Sequence, residues 1–298
     1  MHKPQTVIFG EVLYDCFSDG KRVLGGAPFN VAWHCQAFGM QPLLISRVGE
    51  DPSGERIQQA MVDWGMTTTG LQLDSQHPSG VVDVSFEKGE PNYTIVENSA
   101  WDFIDKTSLP VLQYDSLLYH GSLALRNPVS ATALDYIKQQ INASVFVDIN
   151  LRSPWWKLSQ IKQIMTDARW LKLNQDELVH IHSEVTAEAA EDESGLLQLL
   201  QHYQLELLIV TRGEQGVIAC DQQGTVTRVV PEALAQVVDT VGAGDAFSSV
   251  LLLGQHQQWP LGITLQRAQQ FASAVVGLQG ATTNDIAFYQ PFVDTWQL

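Results

Sequence analysis

The sequence predicts an α/β protein: a mostly parallel sheet covered by helices on both faces, with a small β ribbon attached. Strands alternate with helices along nearly the whole 298 residues, the pattern of a parallel sheet covered on both sides. One stretch, GVVDVSFEKGEPNYTIV (80–96), breaks that order with period-two alternation around Lys88-Gly89-Glu90-Pro91, a hairpin signal.

The elements follow in order. TVIFG (6–10) is a short apolar strand ending at glycine, and PFNVAWHCQAFG (28–39) is a helix opened by Pro28 and closed by Gly39. PLLISRVG (42–49) is a strand, and PSGERIQQAMVDWG (52–65) a helix closed by Gly65. The ribbon is expected as a discontinuous lid, roughly 12–24 and 70–98, on a single 1–298 domain. Strands are then expected at 116–123, 144–151, 170–174 and 205–213, and a hairpin at 216–221 and 225–230. Helices are expected over 129–141, after Pro154, and over 175–183, 192–203, 243–256 and about 260–278, before a tail rich in Asp, Phe and Trp. Trp33 and Trp64 read as core, Trp155 and Trp156 as packing residues, and His180 and His182 as surface residues on different helix faces.

Composition narrows the function classes. Acids outnumber bases 33 to 17, giving −16, which opposes a nucleic-acid binder because displacing phosphate counterions needs a basic surface. Apolar residues at 45% fit a globular protein with a substantial core. Cys16, Cys35 and Cys220 are sparse and lie far apart, as expected for reduced thiols in a cytosolic protein. No apolar run approaches the ~20 residues of a membrane helix, and MHKPQTVIFGEV reads as a first strand rather than a signal peptide.

Two segments carry chemistry. In VVDTVGAGDAF (237–247) three small residues precede Asp245 and an apolar helix. Free N–H groups at a helix start, behind residues with little side chain, can hold a phosphoryl group. A carboxylate there can take the proton of an acceptor hydroxyl, or it can simply favour the helix dipole. No Walker loop and no G-x-G-x-x-G after the first strand is present. In LGGAPFNVAWH (24–34) two glycines allow close approach of a ligand, and Asn30 offers a donor and an acceptor suited to a sugar hydroxyl. As plain structure the same segment is a tight turn into a helix.

GGAPFNVA followed some two hundred residues later by DTVGAGDAF resembles the paired signatures of the ribokinase-like (PfkB) carbohydrate kinases. GEVLYD (10–15), VGEDPSG (48–54), DINLR (148–152), KLNQDE (172–177), TRGEQG (211–216) and GLQGAT (277–282) agree, and Ala27-Pro28 looks most like the fructokinases within that family. The resemblance implies a ribokinase-like fold, ATP with Mg²⁺ and K⁺ as cofactors, and a small sugar as acceptor. Asp245 would be the base, with the backbone of Gly242, Ala243 and Gly244 forming the anion hole. Asp15, Gly26 and Asn30 would hold the sugar, with Glu11 either a contact or structural. Arg152 would reach sugar or phosphate, or else pair with Asp148. Asn174 and Glu177 would organise Mg²⁺ through water, although this N-x-x-E is also a capping box. Thr211, Gly213 and Gly216 would form the nucleotide loop. Asp239, Val241, Val275, Leu278, Gly280 and Asn284 would surround a monovalent cation. The lid could pair two subunits into a homodimer. A kinase for ribose or 2-keto-3-deoxygluconate and a non-catalytic binding relative are the rival readings; the acid kept in GAGD speaks against the second.

Overall fold

In a computed structural model of the chain, residues 3–87, 90–182, 193–231 and 237–298 are described. Their strands form two sheets. Strands β1 (Gln5–Phe9), β4 (Leu43–Gly49), β5 (Leu71–Asp74), β8 (Asp115–His120), β9 (Asn142–Asp148), β10 (Trp170–Asn174), β11 (Leu207–Thr211), β12 (Val217–Asp221) and β13 (Val226–Val229) make the larger one, in the order β13-β12-β11-β10-β9-β8-β1-β4-β5. Every pairing from β11 to β5 is parallel, while β12 and β13 add an antiparallel edge. The smaller sheet has the order β3-β2-β6-β7 and comprises β2 (Leu13–Phe17), β3 (Arg22–Gly25), β6 (Gly80–Glu87) and β7 (Glu90–Ile95).

The hairpin read from period-two alternation is present as β6 and β7, which pair antiparallel; Lys88 and Gly89 of its expected turn lie outside the described residues. One boundary differs. Leu71–Asp74, expected within the ribbon, pairs in parallel with Ser46–Gly49 and is the edge of the larger sheet. Alternation shows that a strand is half-buried but not which sheet it joins.

Helices cover both faces of the larger sheet. On one side α1 (Ala27–Ala37) and α8 (Leu261–Val275) pack against α7 (Ala243–Gln257), with α9 (Ile286–Trp296) beside them. Their core contains Phe29, Tyr119, Phe146, Phe247 and Phe271. On the other side lie α3 (Pro128–Gln140), α4 (Leu158–Thr166), α5 (Gln175–His182) and α6 (Glu193–His202). Position 183 of the expected fifth helix and position 192 of the expected sixth fall outside the described residues. This second core also takes Leu13, Val82 and Val84 from the smaller sheet, so the two sheets share apolar packing. The remaining helix, α2 (Pro52–Asp63), is capped by Asp51, whose carboxylate accepts from the N–H groups of Ser53 and Gly54. Trp33 and Trp64 stack in parallel with ring centres 4.8 Å apart, as core residues do.

The expected tail after residue 278 contains a helix, α9, with Pro291 inside it. The loss of one backbone hydrogen bond at that proline is offset by burial of Tyr289 and Trp296 against Phe38 and Phe271. Among the described residues, no helix is long and apolar enough to cross a membrane.

Strand order reverses between β1 and β8, because the chain winds outward from β1 first through β4 and β5, then through β8 to β11. Open parallel sheets place ligands at such a switch point, beyond the carboxyl ends of the strands. Glu11 follows β1 there, Asp148 ends β9, and Asn174 ends β10.

Candidate active site

Helix α7 begins at Ala243 without any side-chain cap. Its N-cap, Gly242, has φ 83°, and a Cβ there would lie 2.4 Å from the Cβ of Ala281, so both backbone conformation and space require glycine. Asp245 stands in the first turn of this helix. Asn30 Nδ2, from buried α1, donates to Asp245 Oδ2 at 2.8 Å, joining two segments 215 residues apart. Desolvation raises the Asp245 carboxyl to about 6, opposed by the Asn30 hydrogen bond and reinforced by the charge of Asp148. A carboxylate tuned upward in this way is a more effective proton acceptor near neutrality than an ordinary aspartate.

Around Asp245 the chain gathers more acid. Asp15 on β2 points its Oδ2 to within 3.5 Å of where a Cβ on Gly25 would stand, and Asn30 Oδ1 comes within 3.9 Å of the same point. Both oxygens therefore face one side-chain-free spot. Gly26, at φ 108°, lies against the Glu11 carbonyl, 2.7 Å from the position of its absent Cβ. Burial lifts Glu11 to about 7 and Asp15 to about 6, and Arg152 pulls each of them down. Arg152 also lowers Asp245, so one exposed guanidinium serves three acids. Asn30 Oδ1 and Glu11 Oε2 are buried without a hydrogen-bond partner.

The ion pair entertained between Arg152 and Asp148 is not formed; Arg152 Nη1 donates to the Leu151 carbonyl, and Asp148 pairs with Lys172 at 2.7 Å. Asp148 Oδ2 accepts as well from Ser248 Oγ at 2.8 Å and Tyr119 OH at 3.3 Å. Lys172 was missed by sequence reasoning. Its Nζ sits 3.5 Å from the position of a Cβ on Gly244, bringing positive charge beside a glycine loop that has none of its own. The available signal was a lysine inside an apolar strand, WLKLN, whose neighbours Leu171 and Leu173 are fully buried.

Asn174 and Glu177 form a reciprocal cap: Asn174 Oδ1 accepts from the Glu177 N–H and Glu177 Oε2 from the Asn174 N–H, both at 2.8 Å. Glu177 Oε1 accepts from the Leu151 N–H at 2.7 Å. The carboxylate thus fixes the start of α5 and the loop that carries Arg152. Thr211 ends β11, and Gly213 and Gly216 bound a short 3₁₀ turn after it. Gly216 abuts Val229 O and the backbone of Val230. Those residues begin the wall of a cavity of about 810 Å³, completed by α8 and α9 through Arg267, Gln270, Ala274 and Trp296.

Behind the glycine loop before α7, Asp239 Oδ1 accepts from the Val241 N–H at 3.0 Å and Oδ2 from the Gly280 N–H at 3.1 Å. The Val276 carbonyl accepts from the N–H groups of Val238 and Asp239. The loop before α7 and the loop after α8, which holds Leu278 beyond Val275, are thereby tied together, whereas the Asn284 side chain is exposed. Among the described residues no group of three His, Cys, Asp or Glu side chains could hold a metal ion by itself.

The sequence matches the pfkB family carbohydrate kinases over residues 8–287. It is 30% identical to a fructokinase of Escherichia coli over 261 residues, 83% of each chain. The fold superposes with TM-score 0.81 on a fructokinase of Vibrio cholerae O395 bound to fructose, ADP and a calcium ion, at 25% identity over 97% of this chain and 98% of that one. A fructokinase of Xylella fastidiosa with bound ATP shares the fold over 100% of both chains, with TM-score 0.85 and 21% identity. With nearly its whole length matched, the chain belongs to the pfkB family of carbohydrate kinases.

Proposed function

We propose that this carbohydrate kinase is a fructokinase, transferring the γ-phosphoryl group of ATP to a primary hydroxyl of fructose to give fructose 6-phosphate. The observation that carries the reading is the contact between Asn30 and Asp245 at the uncapped start of α7. It puts a hydroxyl-binding amide and a proton acceptor on one spot, beside backbone N–H groups suited to an oxyanion.

Asp245 takes the proton of the acceptor hydroxyl as that oxygen attacks the γ-phosphorus and the bond to the β,γ-bridging oxygen breaks, its electron pair leaving with ADP. Asp15, Asn30 and the Gly25-Gly26 turn orient the sugar, and Arg152 answers charge on the phosphoryl group in flight. The small sheet of β2, β3, β6 and β7 acts as a lid that brings Asp15 over the acceptor. The adenine base occupies the cavity between β13, α8 and α9, and the triphosphate runs past the Thr211–Gly216 turn toward Gly242. Mg²⁺ would neutralise the phosphates, and it fits a site with no protein cage because this ion keeps most of its waters. Glu177 and Asn174, engaged with backbone N–H groups, would meet it only through water. K⁺ would brace the Asp239–Gly280 tie from behind, among the carbonyls of Val241, Val275 and Leu278. The carbohydrate kinases of solved structure that carry fructose and ADP, or ATP, support this assignment of ligands.

Fructose is favoured over a sugar acid by charge. Glu11, Asp15 and Asp245 crowd the acceptor side; Arg152 acts on all three, while Arg126, held by Asp102, acts on Glu11 and Lys172, paired with Asp148, acts on Asp245. The test is a screen of fructose, ribose, glucose and 2-keto-3-deoxygluconate with ATP, reading ADP release. Fructose is expected to give the highest kcat/KM. A tenfold advantage for ribose or the keto acid sinks the fructose assignment.

A further inference from the structure

Arg126 lies at the end of the 3₁₀ turn that follows β8, on the other side of the switch point from Glu11. Its guanidinium is held on one edge by Asp102, with Nε at 2.7 Å from Oδ1 and Nη2 at 2.8 Å from Oδ2. Nη2 also donates to the Val96 carbonyl at 2.7 Å. The ring of Trp101 lies 4.2 Å from the guanidinium carbon and that of Trp155 lies 4.5 Å from it, so the group is fixed by stacking as well. One nitrogen, Nη1, is left buried and without a partner. Glu11 presents the complementary orphan: Oε2 is buried and unpartnered, and Arg126, Arg152 and Asp245 all act electrostatically on its carboxyl. A buried donor and a buried acceptor are thus both left unmet beyond the carboxyl ends of the paired strands β1 and β8. The Trp101 that stacks on Arg126 meets Leu13, two residues after Glu11, across Gly80, whose absent Cβ would stand 2.4 Å from Trp101 Nε1 and 2.9 Å from Leu13 Cβ. Leaving either unmet is costly, and native proteins rarely do so without a ligand, water or function to account for it.

We propose that Glu11 and Arg126 together read one hydroxyl of the acceptor sugar, a hydroxyl other than the one phosphorylated. A hydroxyl is both donor and acceptor; it donates to Glu11 Oε2 and accepts from Arg126 Nη1. Neither a methylene nor a carboxylate satisfies both atoms, so the pair selects a neutral polyol with a hydroxyl at that place. The Asp102 and tryptophan contacts set the direction of Nη1 beforehand, as a specificity-determining group requires. The inference rests on the reading of Asp245, Asn30 and Asp15 as the acceptor site.

The test is a cycle between protein variants and deoxy analogues of fructose, each lacking one secondary hydroxyl. Glu11→Gln keeps the shape of the acid, and Arg126→Lys keeps the charge facing Asp102 while removing Nη1. For wild-type enzyme, loss of one particular hydroxyl is expected to lower kcat/KM by at least about 100-fold, well within the range reached by sites built to bind a hydroxyl. In both variants the penalty for that same hydroxyl is expected to fall below about tenfold, mostly through KM, while penalties for the other hydroxyls persist. If a variant turns over too slowly, calorimetric binding of fructose and the same analogues completes the cycle. Unchanged penalties in both variants, with wild-type turnover intact, overturn the assignment and mean that water bridges the two groups; the kinase chemistry then stands. If wild type phosphorylates no sugar at all, the acceptor-site reading fails and takes this inference with it.

Discussion

Asn30 and Asp245 stand 215 residues apart in sequence and 2.8 Å apart in space. The amide fixes one carboxylate oxygen and so aims the other, and its own Oδ1 stays open. Replacing Asp245 by Asn removes the proton acceptor while retaining size and polarity. Turnover is expected to fall by about 10²–10⁴-fold, with ATP affinity changed little. Single-turnover kinetics and calorimetric ATP titration check this; near-normal turnover removes Asp245 from the mechanism.

Acid should switch the enzyme off earlier than an ordinary aspartate would. As the proposed proton acceptor Asp245 must be ionised, and its carboxyl is raised to about 6. The competent fraction therefore falls as pH drops through that value, and kcat/KM is expected to decline about tenfold per pH unit below it. Asp15, also near 6, steepens the decline if it binds ionised. A profile flat down to pH 4.5 contradicts this.

Lys172 and Asp148 form an ion pair with side chains only 6% and 4% exposed. Removing one partner strands the other charge in the interior, a cost of about 3–5 kcal/mol. Lys172→Met should lower stability by that order in urea titrations, and Lys172→Met with Asp148→Asn should recover part of it. If the Nζ beside Gly244 also serves the transferred phosphoryl group, kcat stays low in the double variant after stability returns.

Glu11→Gln should stabilise the sugar-free protein at high pH only. The folded carboxyl is raised to about 7 from a usual 4.5, so charge burial weakens the fold progressively as pH rises between those values. That loss is absent below the lower value and complete above the upper one. The variant is expected to gain about 3 kcal/mol at pH 8 and nothing at pH 4.5, measured by denaturant unfolding. An equal gain at both pH values points to packing instead.

Potassium should matter through the Asp239 tie. Exchanging K⁺ for Na⁺ at constant ionic strength is expected to lower the rate or ATP affinity, and Asp239→Ala should abolish that difference. A rate and affinity indifferent to the exchange exclude a monovalent cation here.

What could be read from sequence was local. The glycine loop before Asp245 and the Gly-Gly turn before Asn30 announce themselves because backbone conformation and helix starts depend on neighbouring residues. The capping pair Asn174 and Glu177 was legible for the same reason. Arg126 and Lys172 were not, since their meaning comes from Asp102, the two tryptophans, Asp148 and Gly244, all brought together by strand order. Alternation puts Leu71–Asp74 with the ribbon because it is silent about sheet membership, and Pro291 hides α9. Burial of Tyr289 and Trp296 overrides that local penalty.

The crowd of carboxylates around Arg152 bears on how the reaction ends. Under the proposed function, a neutral acceptor would enter among Glu11, Asp15 and Asp245 with little electrostatic resistance and would leave carrying two negative charges. Once the nucleotide no longer shares that load, the same three acids push the phosphorylated sugar outward. Departure is thereby assisted by the groups that welcomed the substrate, and inhibition by accumulated product should be weak and grow weaker as pH rises from 6 to 8, as these acids lose their protons.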